Sequence, residues 1–130
     1  MTSSSRLRGA PALAALAAAL VLAVAPAAES HAVLVRSLPA SRATLRQSPS
    51  TAELWFSERL EPAFSTLSVW SASGTQVDRG DTTLSRDDQK RLSATLLALA
   101  PGRYTVRYRV LSVDGHVAEG SFAFSVAAAH

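Results

Sequence analysis

Two of the three histidines in this sequence stand where they could bind a metal ion. His116 follows Asp114 by two residues, and Gly115 between them lets the backbone bend so that the carboxylate and the imidazole point to one side. Aspartate and histidine both serve as ligands of divalent transition metals. Asp-Gly is also a common turn pair, and such residues occur more often in surface turns than in metal sites. The pair is therefore a candidate that needs further ligands.

The second histidine, His31, is predicted to become the amino terminus when a secretory leader is removed. Residues 1–30 contain a basic start, an apolar run, a proline and small residues, which is the pattern of an export signal. The apolar run is short for a membrane span. Cleavage after Ser30 makes His31 the first residue, whereas a rival site leaves Ala28 at the terminus. An uncleaved anchor is the remaining alternative.

A terminal histidine completes a nitrogen-rich ligand set. Its α-amine and its imidazole can close a chelate ring on one metal, and the amine has an ordinary pKa of about 8, well below that of lysine. With Asp114 and His116 the donors are three nitrogens and one oxygen, which suits nearly planar Cu(II). Zinc accepts imidazole and carboxylate but has no special use for a terminal amine. Because the sequence lacks cysteine and its one methionine is Met1, a sulfur site for Cu(I) is excluded.

Composition is that of one small exported domain and excludes several function classes. Removal of the leader leaves residues 31–130, which are enough for a single core. The net charge of +3 is spread along the chain and is too small for a nucleic-acid binder. The absence of cysteine excludes disulfides and thiol catalysis. The sequence contains no G-x-S-x-G, H-E-x-x-H, phosphate-loop or dinucleotide motif, so we expect no enzymatic activity.

The elements that must position these residues are predicted to be strands. Short apolar runs alternate with polar residues and are separated by Pro, Gly, Ser and Asp, which predicts an all-β fold. Seven strands in this length favour an immunoglobulin-like β-sandwich. The predicted strands cover residues 32–37, 52–57, 66–70, 75–77, 92–97, 103–111 and 121–126.

Local patterns add three expectations. The segment 99–104 predicts a Greek-key corner in which the Tyr104 ring is packed and its hydroxyl is tethered. The polar stretch 78–91 predicts a solvated loop. Trp55 and Trp70 are out of phase with the aliphatic residues of their strands, so we expect partly exposed rings, which either pack under a loop or bind a partner.

Four ordered segments resemble the CopC/PcoC family of exported copper-binding proteins. The resemblance covers residues 31–126, and its segments are HAVLVRSLPA at 31–40, LWFSE at 54–58, LAPGRYTV at 99–106 and RVLSVDGH at 109–116, the last followed by GSF at 120–122.

The resemblance implies a seven-stranded Greek-key β-sandwich or barrel, cupredoxin-like in outline. It also implies one Cu(II) ion bound by His31, Asp114 and His116. Glu58 is placed beside the site, where it orients a nitrogen donor or approaches the metal weakly; an exposed charge at a strand end is the alternative. The methionine-rich segment that gives some members a Cu(I) site is missing, so no such site is expected.

The expected function is that of an exported Cu(II)-binding protein for copper homeostasis or resistance, located in the periplasm or another extracytoplasmic space. It would sequester copper or present it to a CopD-type membrane transporter, a partner that the resemblance alone implies. Neither a nucleic-acid partner nor a membrane span after cleavage is expected. Two alternatives remain: a copper-dependent oxygenase that holds its metal with an N-terminal histidine, and a metal-free immunoglobulin-like interaction module.

Overall fold

Strands form where apolar and polar side chains alternate, and eight lie within residues 32–129, which the computed structural model describes. They are β1 (Leu34–Leu38), β2 (Thr44–Leu45), β3 (Thr51–Phe56), β4 (Thr66–Ser71), β5 (Thr83–Leu84), β6 (Arg91–Thr95), β7 (Gly102–Leu111) and β8 (Val117–Val126). A short 3₁₀ helix spans Pro62–Phe64, and no helix in the described range is long and apolar enough to cross a membrane. The predicted signal peptide and His31 lie outside these residues.

The strands form two four-stranded sheets that enclose one apolar core. The first sheet has the order β1-β3-β6-β5, and the second has the order β2-β8-β7-β4. All neighbouring strands are antiparallel except β2 and β8. The prediction of an all-β sandwich is therefore confirmed. Both sheets contribute to the buried core, which consists of Ala32, Ala52, Leu54, Phe56, Leu60, Leu67, Val69, Leu92, Ala94, Leu96, Leu99, Tyr104, Val106, Val110, Phe124 and Val126.

The hairpin of β7 and β8 carries the Asp-Gly-His turn at its tip. Its two strands have ten residues each and pair along their full length. Tyr104, Val106 and Val110 point into the core, as the period-two pattern predicts. The long ladder and the buried face hold the tip of the hairpin in a fixed place relative to the sandwich.

Tyr104 forms the predicted corner. Its ring is buried and stacks on Phe124, with 5.6 Å between the ring centroids. Its hydroxyl donates a hydrogen bond to the carbonyl oxygen of Ala100 at 2.5 Å. The packed ring and tethered hydroxyl are the features expected of a Greek-key corner, so this prediction is confirmed.

The edges of the sheets differ from the predicted strands. Six of the seven predicted strands are present, but 75–77 is reduced to a single bridge between Gln76 and Trp70, followed by a bridge between Asp78 and Leu96. Here the chain passes from the edge of one sheet to the edge of the other, which leaves no room for a ladder. The pattern does not predict β2 and β5, because two residues are too few to show an alternation.

The predicted solvated loop over 78–91 is wrong in part, because this stretch contains β5, the first residue of β6 and a buried carboxylate. Asp78 is buried, and its carboxylate accepts hydrogen bonds from the backbone N–H groups of Val69 at 2.8 Å and Gly80 at 3.0 Å. Leu84 lies in β5 and packs against the core. A carboxylate can be buried here because backbone donors satisfy its oxygens, which a polar sequence pattern does not reveal.

Both tryptophans are half-buried, as predicted. The Arg36 guanidinium lies 4.5 Å from the ring centroid of Trp55, and that of Arg91 lies 5.9 Å from the same centroid. Arg107 lies 5.4 Å from the ring centroid of Trp70. These are cation–π distances, and the arginines cover apolar ring surface that would otherwise face water.

Candidate metal centre

A tight loop connects β7 to β8 and carries the Asp-Gly-His turn. The Ser112 N–H donates to the His116 carbonyl oxygen at 2.9 Å, and the Gly115 N–H donates to the Ser112 carbonyl oxygen at 2.9 Å. Gly115 has a φ of +94°, in the left-handed region that favours glycine. Residues 113–115 thus form a three-residue loop whose last residue has a left-handed backbone, which is a common hairpin connection. The backbone of the loop thus fixes the positions of the Asp114 and His116 α-carbons.

Asp114 and His116 lie together, as their spacing predicts. Nδ1 of His116 is 3.2 Å from Oδ1 of Asp114. Both side chains keep access to solvent, with exposed fractions of 41% for Asp114 and 33% for His116. Adjacent ligands of a metal with bonds of about 2.0 Å and an angle of about 90° lie about 2.8 Å apart. The two donors are therefore close to the separation at which both could bind one ion.

Ser112 is fully buried beneath the turn and contacts both of these residues. Its hydroxyl donates a short hydrogen bond to Oδ1 of Asp114 and accepts one from the His116 backbone N–H at 3.2 Å. Ser112 is not among the predicted site residues. The signal that could have found it is a serine two residues before an aspartate in a turn, since such side chains bond to neighbouring polar groups.

The hydrogen bonds of the turn favour the ionised form of the Asp114 carboxyl. The bond from the Ser112 hydroxyl is the main reason that the pKa of Asp114 lies below its ordinary value. Desolvation opposes this effect, whereas the hydrogen bond and the charge of His116 reinforce it and lower the pKa further. The turn thus favours the ionised carboxylate, which is the form that binds a cation.

Backbone bonds hold the segment after β3 against the turn. The Val113 N–H donates to the Arg59 carbonyl oxygen at 2.9 Å, and Leu60 forms a β-bridge with Ser112. Glu58 directly precedes Arg59 and is half-buried. The structure therefore brings Glu58 to the same end of the sandwich as the Asp-Gly-His turn.

The start of the described chain lies at the same end. The Ser57 N–H donates to the Val33 carbonyl oxygen at 2.8 Å, and the Val33 N–H donates to the Ser57 hydroxyl at 2.9 Å. Ala32 is buried, with 5% of its surface exposed. Ser57 also directly precedes the segment that bonds to the turn. His31, the residue before Ala32, is a predicted ligand that lies outside the described residues.

Two candidate ligands, Asp114 and His116, lie together within the described part of the chain. No group of three or more histidine, cysteine, aspartate or glutamate side chains between residues 32 and 129 is placed to hold a metal ion. The pair offers one imidazole and one carboxylate, which is half of the predicted donor set. A complete site of the predicted kind needs donors from beyond this range, and His31 is the residue expected to supply them.

Comparison with known proteins identifies relatives over most of the chain. The family model described as CopC domain matches residues 34–127. Protein YobA of Escherichia coli strain K12 is 36% identical over 104 residues, which are 79% of this chain and 84% of that protein. Protein YobA of Shigella flexneri gives the same values.

Solved structures with the same fold agree with this family match. CopC from Methylosinus trichosporium OB3b superposes with a TM-score of 0.72 at 34% identity, over 77% of this chain and 97% of that one. PcoC from Escherichia coli, a methionine-rich copper resistance protein, superposes with a TM-score of 0.66 at 26% identity, over 75% of this chain and 99% of that one. By sequence and by fold, this chain belongs to the CopC family, which includes copper resistance proteins.

Proposed function

We propose that this protein binds one Cu(II) ion through His31, Asp114 and His116 and serves copper homeostasis or resistance. The observation that carries the proposal is the pairing of Asp114 with His116 at 3.2 Å, at the end of the sandwich where Val33 bonds to Ser57. His31 would add its α-amine and its imidazole. Membership of the CopC family, and the description of PcoC as a copper resistance protein, support copper as the metal.

The donor chemistry supports Cu(II) over other metals. Two imidazoles, an amine and a carboxylate form the nitrogen-rich set that Cu(II) prefers. After Met1 the chain has neither methionine nor cysteine, so it lacks the soft sulfur donors that suit Cu(I). PcoC, by contrast, is described as methionine rich. We infer one Cu(II) site in each molecule and no Cu(I) site.

Glu58 has a supporting role in this proposal. It follows Ser57, which is bonded to the chain start at Val33, and it precedes the segment bonded to the Asp-Gly-His turn. A carboxylate in this place can accept a hydrogen bond from a nitrogen donor and so orient that donor toward the metal. Glu58 therefore acts beside the metal rather than as one of its main ligands.

The proposed site depends on export and on one cleavage position. Removal of residues 1–30 exposes the α-amine of His31, whereas cleavage before Ala28 leaves that nitrogen in a peptide bond. We place the mature protein, residues 31–130, in the periplasm or another extracytoplasmic space. There it sequesters copper or presents it to a CopD-type membrane transporter, without enzymatic activity. Because the amine and the imidazoles must lose protons to bind, copper loading weakens as the medium becomes acidic.

Electron paramagnetic resonance of the protein that begins at His31 tests the proposal. One equivalent of Cu(II) is expected to give an axial signal with nitrogen hyperfine structure. We expect His116→Ala to alter this signal, and a protein that begins at Ala28 to lose the contribution of the terminal amine. The matched control is His130→Ala, which removes the remaining histidine and should leave the signal unchanged. An unaltered spectrum for His116→Ala would contradict the proposed site.

A further inference from the structure

Arginines occupy the outer face of the second sheet. In β7, Tyr104 and Val106 turn into the core, so Arg103, Arg107 and Arg109 point outward, and all three are exposed. From Arg103 to Arg109 the strand extends for about 20 Å. The positive charges are thus arranged in a line along β7.

A fourth arginine joins this line from the loop before β2. The Arg42 N–H donates to the Ala123 carbonyl oxygen at 2.7 Å, which fixes the Arg42 backbone on β8. Arg42 and Arg103 then line one hollow beside Ser125. We call the set of Arg42, Arg103, Arg107 and Arg109 the arginine face.

Negative charge is scarce on this surface. Glu119 is paired with Arg109 at 2.9 Å, but no carboxylate of the described residues lies within 4 Å of Arg42, Arg103 or Arg107. Residues 32–129 carry eleven Lys and Arg against nine Asp and Glu. Without the arginine face and Glu119, seven basic and eight acidic side chains remain. The positive charge of the domain is therefore concentrated on one side.

Small polar side chains surround the arginines. In the strand register, their cross-strand neighbours other than Glu119 are the small hydroxyl residues Thr66, Ser68, Ser121 and Ser125. A positively charged sheet face is complementary to an extended, negatively charged surface.

The arginine face ends in exposed apolar side chains. Phe64 is 67% exposed and Val117 is 47% exposed, and both line one hollow with Arg109 and Thr66. Surfaces that bind at the water interface of a bilayer combine basic side chains with exposed aromatic or aliphatic ones. Val117 directly follows His116, so this apolar edge adjoins the Asp-Gly-His turn.

We propose that the arginine face docks the folded domain on the anionic surface of a lipid bilayer. The guanidinium groups contact lipid phosphates, and Phe64 enters the headgroup region. Docking holds the Asp-Gly-His turn close to the bilayer surface, because the turn adjoins the apolar edge. The inference concerns a surface outside the proposed metal site and does not rest on copper binding.

Co-sedimentation with vesicles tests the inference. At low salt, where charges act over a longer distance, we expect the mature protein to bind vesicles of phosphatidylglycerol and phosphatidylcholine in equal parts, but not vesicles of phosphatidylcholine alone. The combined change Arg42→Gln, Arg103→Gln and Arg107→Gln should lower the partition coefficient by about fivefold for each arginine. The matched control is Arg79→Gln, Arg86→Gln and Lys90→Gln, which removes the same charge from another surface and should reduce binding much less.

The two tryptophans report how the domain is oriented on the bilayer. Trp70 lies beside Arg107 on the arginine face, whereas Trp55 lies between Arg36 and Arg91 on the other sheet. With brominated lipids in the anionic vesicles, we expect strong quenching of Trp70 emission in Trp55→Phe. We expect little quenching of Trp55 emission in Trp70→Phe.

Several outcomes would overturn the inference. These are equal loss of binding in the two triple variants, equal quenching of the two tryptophans, and binding to polyaspartate without binding to anionic vesicles. Melting curves show whether each variant is folded. If the triple variant does not fold, Arg103→Gln and Arg42→Gln are measured separately, and each must then lower the partition coefficient on its own.

Discussion

The Ser112 hydroxyl contacts both described members of the candidate metal centre. It donates to the Asp114 carboxylate and accepts from the His116 backbone N–H, and no part of Ser112 is exposed. A side chain held in this way has little freedom to rotate, so it limits the positions that the carboxylate can take. Residues that orient metal ligands in this way contribute measurably to metal affinity.

We expect Ser112→Ala to weaken Cu(II) binding by about 10–100-fold, because the Asp114 carboxylate loses the bond that orients it. The variant should also lose about 1–3 kcal/mol of stability, since buried polar groups of the turn lose a partner. Titration against a competing chelator measures the affinity, and thermal unfolding measures the stability. Ser121→Ala, at an exposed position, is the control. Unchanged copper affinity in Ser112→Ala would remove Ser112 from the proposed mechanism.

The hairpin of β7 and β8 carries Asp114 and His116 of the candidate metal centre at its tip, and the tethered Tyr104 lies near its other end. Tyr104 donates to the Ala100 carbonyl oxygen, and its ring stacks on Phe124. Tyr108, four residues further along β7, packs edge-on against Phe56 with 5.3 Å between ring centroids. The two tyrosines thus hold the same strand in different ways.

We expect Tyr104→Phe to lower the free energy of unfolding by about 0.5–1.5 kcal/mol, because it removes the tether and leaves the ring. Tyr108→Phe is the matched control, since among the described residues the Tyr108 hydroxyl has no hydrogen-bond partner. Urea unfolding of both variants measures the difference. Equal losses in the two variants would show that the corner hydrogen bond contributes nothing.

The segment between β4 and β6 gives a pH-dependent prediction. The pKa of Asp81 lies below its ordinary value of 3.8, mainly because the side chain and then the backbone of Thr95 donate hydrogen bonds to its carboxylate. A lowered folded-state pKa means that this carboxylate stabilises the fold above pH 3.8. That contribution is lost as the pH falls through the folded-state pKa.

We therefore expect Asp81→Asn to melt below the wild type at neutral pH and to approach it in strong acid, where the wild-type carboxyl is protonated. Melting temperatures of the two proteins across this range provide the measurement. Asp87→Asn removes one charge from the same segment and serves as the control. A difference that stays constant with pH would contradict the assigned cause.

The proposed metal site and the arginine face occupy separate regions of the sandwich. Its end brings together the chain start at Val33, the segment after β3 and the hairpin tip, through hydrogen bonds of 2.8–2.9 Å at Ser57 and Val113. Its side carries the arginine face. A metal ion bound at the end would join segments that are far apart in sequence, and it would therefore oppose unfolding.

We expect Cu(II) at about 100 times its dissociation constant to stabilise the protein that begins at His31 by about 2.7 kcal/mol. The melting temperature should rise accordingly, and a chelator should reverse the rise. A protein that begins at Ala28 should gain less, because its His31 nitrogen is part of a peptide bond. Absence of any rise would instead favour a metal-free interaction module.

Local pattern was sufficient for the all-β class, for most strands, for the Tyr104 corner and for the partly exposed tryptophans. The alternation that defines β7 also decides which side chains are buried, because successive residues in a strand face opposite ways. The closeness of Asp114 and His116 was predictable from their spacing, because the glycine between them lets the backbone bend.

Local sequence patterns did not predict contacts between segments that are separated in the chain. The burial of Asp78 and the place of Arg42 beside Arg103 arise when segments that are separated in the chain meet. From the sequence alone, a polar residue is known only to need a hydrogen-bond partner, either another residue or water. The folded chain decides which of these partners it has. For that reason the class of fold, the residues of the turn and the line of arginines in β7 follow from the amino-acid order, whereas the surroundings of the site and the place of Arg42 beside Arg103 follow from the way the strands assemble.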